Sequence, residues 1–351
     1  MDQSDRLRGE TVAVWVTVAC FLLGAVAALA VLGPDPRPLI GSGALALPAA
    51  TIAGVIAGGA FVVSTLRHRR GETRPMPRWQ KVVTDVSAIA LTVAFVGVTG
   101  LGVLLGMQVL AIGLQGLELT TVGGALVTGF AAAVGGRFAF AAGIGLRTAD
   151  LSSILFGYLV IGTLFAMVTA ADPRWWEVNF SQLGMGDDAW AFNGTLIVAG
   201  VLVGTVGAYI GRDLHRVLGD PALGRIAITS GLWIVTGVGL AGVGLLPLHR
   251  FPEAHNVVAP VTLLLFAASM TMTAVIVPGA PRALTITTIG VGALVTVAFV
   301  LFAVFGLITM TALEAMAVGL GLLWMTTLVR VLAILSPDVP RASRRAHLLH
   351  G

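Results

Sequence analysis

Two short stretches hold most of the side chains that could do chemistry. One, Leu246–Asn256, packs His249, Arg250, Glu253 and His255 into seven residues. The other, Asp172–Asn193, carries Asn179, Ser181, Asp187, Asp188 and Asn193 among three tryptophans, Trp175, Trp176 and Trp190. Imidazole, guanidinium, hydroxyl and carboxamide groups beside helix starts form a donor set for a phosphate or carboxylate, because the first N–H groups of a helix have no partner within it. Asn179, Ser181, Asp188, Asn193, His249, Arg250 and His255 are therefore the candidate ligand-binding residues, with Arg250 as the anion contact. A plainer use also exists. Asp187 and Asp188 can cap the helix that follows them, and the two loops can pin hairpins together by hydrogen bonds alone. His249, His255, Asp188 and Glu253 are metal-ligating types, but a six-residue spacing in a loop is unspecific and no HExxH or Cys/His cluster accompanies it. No metal and no cofactor is expected. Without a Walker A loop, a GxSxG elbow or a dinucleotide fingerprint, neither nucleotide nor nucleic acid is an expected partner.

The elements that position these loops follow from composition. Of 351 residues, 57% are apolar and 11% charged, against about 25% charged in soluble domains. Mean hydropathy is +0.95. Such a chain cannot cover a soluble surface, which excludes a soluble enzyme, a disordered chain and a secreted disulfide scaffold. The expected fold is all-α, a polytopic transmembrane helix bundle. The formal charge of +4 comes from arginines in short loops, with Lys81 the one lysine, and reflects base composition more than a polyanionic partner. Cys20 is the only cysteine and can form no intrachain disulfide.

Apolar runs of roughly 20 residues, enough to cross about 30 Å of hydrocarbon, occur ten times: Thr11–Leu32, Ala44–Leu66, Val83–Leu110, Thr121–Gly145, Ser152–Ala171, Phe192–Gly211, Ile226–Leu246, Val257–Val277, Ala283–Ile308 and Ala315–Leu335. The first is too long for a signal-peptide core of 7–15 residues and is read as an uncleaved span. With the N-terminus inside, only Arg37, Arg174 and Arg250 fall outside and Arg137 within a span, which leaves 17 of the 21 basic residues on the inner side. That asymmetry is the positive-inside pattern, so both termini are expected in the cytoplasm and both polar loops outside.

Glycines at four-residue spacing (Gly54/Gly58, Gly102/Gly106, Gly200/Gly204 and Gly207/Gly211) suit close helix packing within the bundle. The basic stretch Arg67–Lys81 serves as a topological anchor. Arg137, near the inner end of its span, is expected to snorkel or to form an ion pair. Glu118 and Glu314 are expected to face water at outer hairpins. No span clearly carries an acidic group at its midplane, which argues against a proton-coupled carrier.

The run Trp175-Trp-Glu-Val-Asn-Phe-Ser-Gln-Leu-Gly184, followed by Phe192-Asn-Gly, and then Leu245-Leu-Pro247 and His255-Asn256, resembles the bacterial membrane family called domain of unknown function 998. The resemblance covers spans five to ten and carries over to Asn179, Ser181, Leu183, Gly184, Phe192, Asn193, Pro247 and His255. It implies a six-span module at 151–335, preceded by a four-span module at 1–150 and followed by a cytoplasmic tail at 336–351. The family has no settled activity, and a distant similarity to eukaryotic proteins of lipid remodelling points to membrane lipid as partner. The expected function is binding of a lipid or envelope head group, anionic by the chemistry of Arg250, at loops 172–193 and 247–256, with no hydrolytic centre. The alternatives are a secondary transporter or permease and, after it, a membrane-embedded metal-dependent lipid hydrolase.

Overall fold

The computed structural model describes residues 3–69, 78–144, 147–186, 189–279 and 281–335. Among the described residues ten helices are long and apolar enough to cross a membrane: α1 (Gln3–Val31), α2 (Ala46–Arg69), α3 (Arg78–Gly113), α4 (Thr121–Ile144), α5 (Thr148–Val168), α6 (Ala189–Leu218), α7 (Leu223–Leu245), α8 (Pro252–Ile276), α9 (Arg282–Ala303) and α10 (Met310–Leu335). It is a multi-pass membrane protein. In hydrocarbon every backbone polar group must be bonded within the segment, which long helices achieve. Asp187, Asp188, the tail 336–351 and the middle of the basic anchor lie outside the described residues.

The chain divides into two compact units, Met1–Leu146 with Gly157–Val168, and Arg147–Phe156 with Thr169–Gly351. In the first unit α4 lies against α1 and α2 through small residues. Ala28, Leu32, Leu45, Ala49, Met107 and Ala125 form part of a buried cluster, and the Ser64 hydroxyl of α2 donates to Phe140 O of α4 at 2.7 Å. Two-residue strands, β1 (Arg37–Pro38) and β2 (Glu118–Leu119), pair antiparallel with Arg37 opposite Leu119. Arg137 does not enter a buried polar path: its guanidinium meets Glu10 of α1 at 3.2 Å with both side chains substantially exposed. The groove beside it, about 390 Å³, is otherwise lined by Thr17 and by apolar side chains such as Phe21 and Phe130.

In the second unit α6 and α7 approach as closely as backbones allow. A Cβ at Gly200 would run into Gly237 O, one at Gly207 into the Trp233 side chain, and one at Gly211 into Ser230 Oγ. The glycine spacing on α6 is thus intrachain packing, and so is that of Gly54 and Gly58, which face Val96 of α3. Gly102 and Gly106 differ, since nothing among the described residues lies within 4 Å of a Cβ built at either; spacing alone does not make a contact. At the centre of the unit Trp233 of α7 and Trp324 of α10, both fully buried, stack at 6.1 Å between centroids and 20° between planes. Their indole N–H groups donate to Thr273 of α8 (3.0 Å) and Thr288 of α9 (2.8 Å). Each buried donor is therefore satisfied, as an apolar surrounding demands.

Most of the helices run a few residues past the expected spans, and two of these extensions bear on the polar ends of the second unit. α6 continues through the charged residues Arg212–Leu218, where buried Asp213 accepts a hydrogen bond from Thr148 and lies 3.6 Å from Arg216. α8 starts at Pro252, not Val257, because proline is suited to the first helical turn, where an N–H would have no partner. His255 consequently sits on the first turn of a helix and not in a loop.

Candidate functional site

The segment between α5 and α6 folds back on itself in two 3-10 turns, Trp175–Glu177 and Phe180–Gly184. It begins with a local turn in which Asp172 Oδ1 accepts the Arg174 N–H at 2.8 Å. The Trp175 ring then packs on Phe180 at 5.2 Å. Between the two turns Asn179 is fully extended. Trp176 and Trp190 are about half exposed, as suits amphipathic rings where apolar helices end.

Three helices hold this segment. From α6, Asn193 Nδ2 donates to Gly184 O at 3.1 Å, and a Cβ at Gly184 would collide with that same amide; Leu183 and Phe192 are buried alongside. From α10, the Glu314 carboxylate accepts the Phe180 N–H at 2.7 Å, and the Thr311 hydroxyl donates to Trp176 O at 2.7 Å. From α8, His255 Nε2 lies 2.9 Å from Ser181 Oγ. The Glu314 expectation is corrected here: it does not simply face water at a hairpin but binds the backbone of the polar loop. Sequence reasoning missed it. The one available signal was an acidic residue a turn inside an apolar helix.

The second polar stretch is compact as well. Pro247 O accepts the N–H groups of Arg250 and Phe251, each at 3.0 Å. This turn leads into α8 and leaves Leu246 O facing His255 Nδ1 at 2.7 Å. A carbonyl oxygen can only accept, so Nδ1 carries the proton and Nε2 of the neutral ring is the acceptor for the Ser181 hydroxyl. His255 is buried, whereas Ser181 is only partly so. The arrangement places a hydroxyl, polarised by an oriented imidazole, at the edge of the bundle.

The remaining candidates divide. Asn179 Oδ1 is buried and has no hydrogen-bond partner among the described residues. Asn193 anchors the loop. His249 and Arg250 are exposed, and neither side chain bonds another described residue. Asp188 lies outside the described residues. No three His, Cys, Asp or Glu side chains cluster as a metal-holding group among the described residues.

Ten apolar helices among the described residues, with a polar loop held by α6, α8 and α10 of the second unit, define a multi-pass membrane protein. Residues 153–331 match the family described as Protein of unknown function (DUF998), and the chain belongs to that family. The match spans most of α5 through α10 and contains Asn179, Ser181, Asn193, Glu314 and His255. No curated protein and no solved structure matches the chain.

Proposed function

We propose that this protein binds the phosphate-bearing head group of a membrane lipid at the loop face formed by residues 172–193 and 247–256, on the outer side of a bacterial cytoplasmic membrane. The observation that carries it is the Ser181–His255 hydrogen bond, which joins the two polar stretches at one end of a single unit. Around that bond stand groups with unused capacity. Asn179 Oδ1 is buried without a donor among the described residues, at a cost of about 1–3 kcal/mol that a ligand hydroxyl or ammonium would remove. Arg250, exposed on the adjoining turn, supplies a planar donor fork for phosphate oxygens. The orientation follows from arginine placement: 17 of 21 basic residues then lie inside, and both termini with them.

The test is lipid retention. Protein extracted with its native lipid should hold anionic phospholipid in stoichiometric amount. An Arg250→Ala, His255→Ala double variant should lose at least about ten-fold in retention, equivalent to about 1.4 kcal/mol. Identical lipid profiles for the two proteins would remove the head-group assignment.

A further inference from the structure

We propose that Ser181 is a nucleophile, activated by His255 as general base, that cleaves a carboxylic ester of a membrane lipid. This rests on the head-group assignment above and adds a reaction to it.

The geometry supplies the two parts that such chemistry needs, a nucleophile and a base that is itself oriented by a third group. Ser181 Oγ is 2.9 Å from His255 Nε2, and His255 Nδ1 is 2.7 Å from Leu246 O. The second bond selects the tautomer. With its proton held on Nδ1 by a carbonyl, the imidazole presents a lone pair to the serine hydroxyl, which is the state that accepts a proton. Burial of His255 in the first turn of α8 keeps the ring from rotating away. Ser181 as a residue is only partly buried, which leaves a side open to a substrate approaching from outside. Glu314 of α10 accepts the N–H of Phe180, the residue before Ser181. Through that bond it acts as a positioning residue for the 3-10 turn that carries Ser181.

The step balances with water as the only co-reactant. Ser181 Oγ attacks the acyl carbonyl carbon while its proton passes to Nε2. The tetrahedral adduct collapses, the C–O bond to the alcohol breaks, and the departing oxygen takes the proton from Nε2. The acyl group is now an ester of Ser181. A water molecule attacks that carbonyl and gives its proton to Nε2. When the carbon–Oγ bond breaks, Oγ recovers that proton, releasing a carboxylic acid. The lipid class follows from location. Trp176 and Trp190 flank the loop where the apolar helices end, the depth at which aromatic belts sit and the acyl esters of a glycerophospholipid meet water.

Hydrolysis and mere loop pinning are separated by a covalent probe. The full chain in phosphatidylglycerol nanodiscs is exposed to a fluorophosphonate, which phosphonylates activated serines with loss of fluoride, and the peptide carrying residue 181 is analysed by mass spectrometry. An adduct on Ser181 is expected, absent in Ser181→Ala and at least about a hundred-fold slower in His255→Gln, the lower end of what a general base contributes. Release of fatty acid from the same nanodiscs should fall in parallel. Absence of an adduct on wild-type Ser181 overturns the proposal without reference to any variant, as does equal labelling of His255→Gln. The two levels fail separately. Phospholipid retention by a protein that never forms the adduct sinks the nucleophile alone. An adduct together with unchanged lipid profiles in the Arg250→Ala, His255→Ala variant sinks the lipid assignment alone.

Discussion

Glu314 accepts the backbone N–H of Phe180 at 2.7 Å, a bond between residues 134 positions apart that ties the start of α10 to the polar loop after α5. A carboxylate bonded to a partly buried backbone donor is among the stronger single hydrogen bonds a fold contains. Its placement beside Ser181 makes it the element through which the last helix governs the site.

Replacing Glu314 by alanine should therefore cost about 1.5–3 kcal/mol, the range for a hydrogen bond to a charged group. Glutamine, which keeps an acceptor oxygen, should cost less. Thermal unfolding of the detergent-solubilised chain measures the stability. Protease cleavage between residues 172 and 186 should quicken in the alanine variant first. Equal stability of all three proteins would mean that the bond does not hold the loop.

The pairing of Gly184 with Asn193 makes a sharper case, because a methyl group at 184 would occupy the space of the amide that binds its carbonyl. Gly184→Ala should destabilise by about 1–3 kcal/mol through overpacking. Asn193→Ala removes both the clash and the bond. The double variant should be more stable than the sum of the two losses by at least about 0.5 kcal/mol. Strict additivity in that cycle would deny the contact.

Glycines on α6 and α3 share a spacing but not a surrounding. Gly200→Ala must push α7 away from α6 and should cost about 1–3 kcal/mol or more. Gly102→Ala meets open space and should be neutral or raise stability by up to about 1 kcal/mol through helix propensity. Melting temperatures of the two variants decide it, and comparable losses would contradict the packing described for α6 and α7.

Orientation can be measured with single cysteines, since Cys20 is the only native one and is buried. In a Cys20→Ser background, Trp176→Cys should react with an impermeant maleimide on intact cells. Arg225→Cys, on the exposed turn at the start of α7, should react only after permeabilisation. Reversed accessibility would invert the topology, and with it the side on which the loop site works.

Apolar run length was enough to read all ten helices from the chain, because a membrane span must satisfy its own backbone and so declares itself in composition. Their ends were less legible. Arg212–Leu218 reads as a loop by charge, yet continues α6 since Asp213 finds Thr148 and Arg216 as partners. His249-Arg-Phe-Pro-Glu253 reads as a loop by polarity, yet its proline opens α8. Ser181 and His255 could be assigned to one side by arginine bias and grouped by motif order. Their contact could not be read, because it depends on how far the loop after α5 folds back toward the first turn of α8. Glu314 was illegible for a deeper reason: its partner is a backbone N–H, which every residue but proline possesses, so no residue type marks it.

The indole stack at the heart of the second unit gives the protein a built-in optical gauge. Trp233 and Trp324 are sealed from solvent, so their emission should lie to the blue and resist quenching by iodide, while Trp176 and Trp190 report the loop face once Trp15 and Trp79 are replaced by phenylalanine. Movement of the loop and melting of the helical core should therefore be separable in one cuvette by their differing accessibility to the quencher.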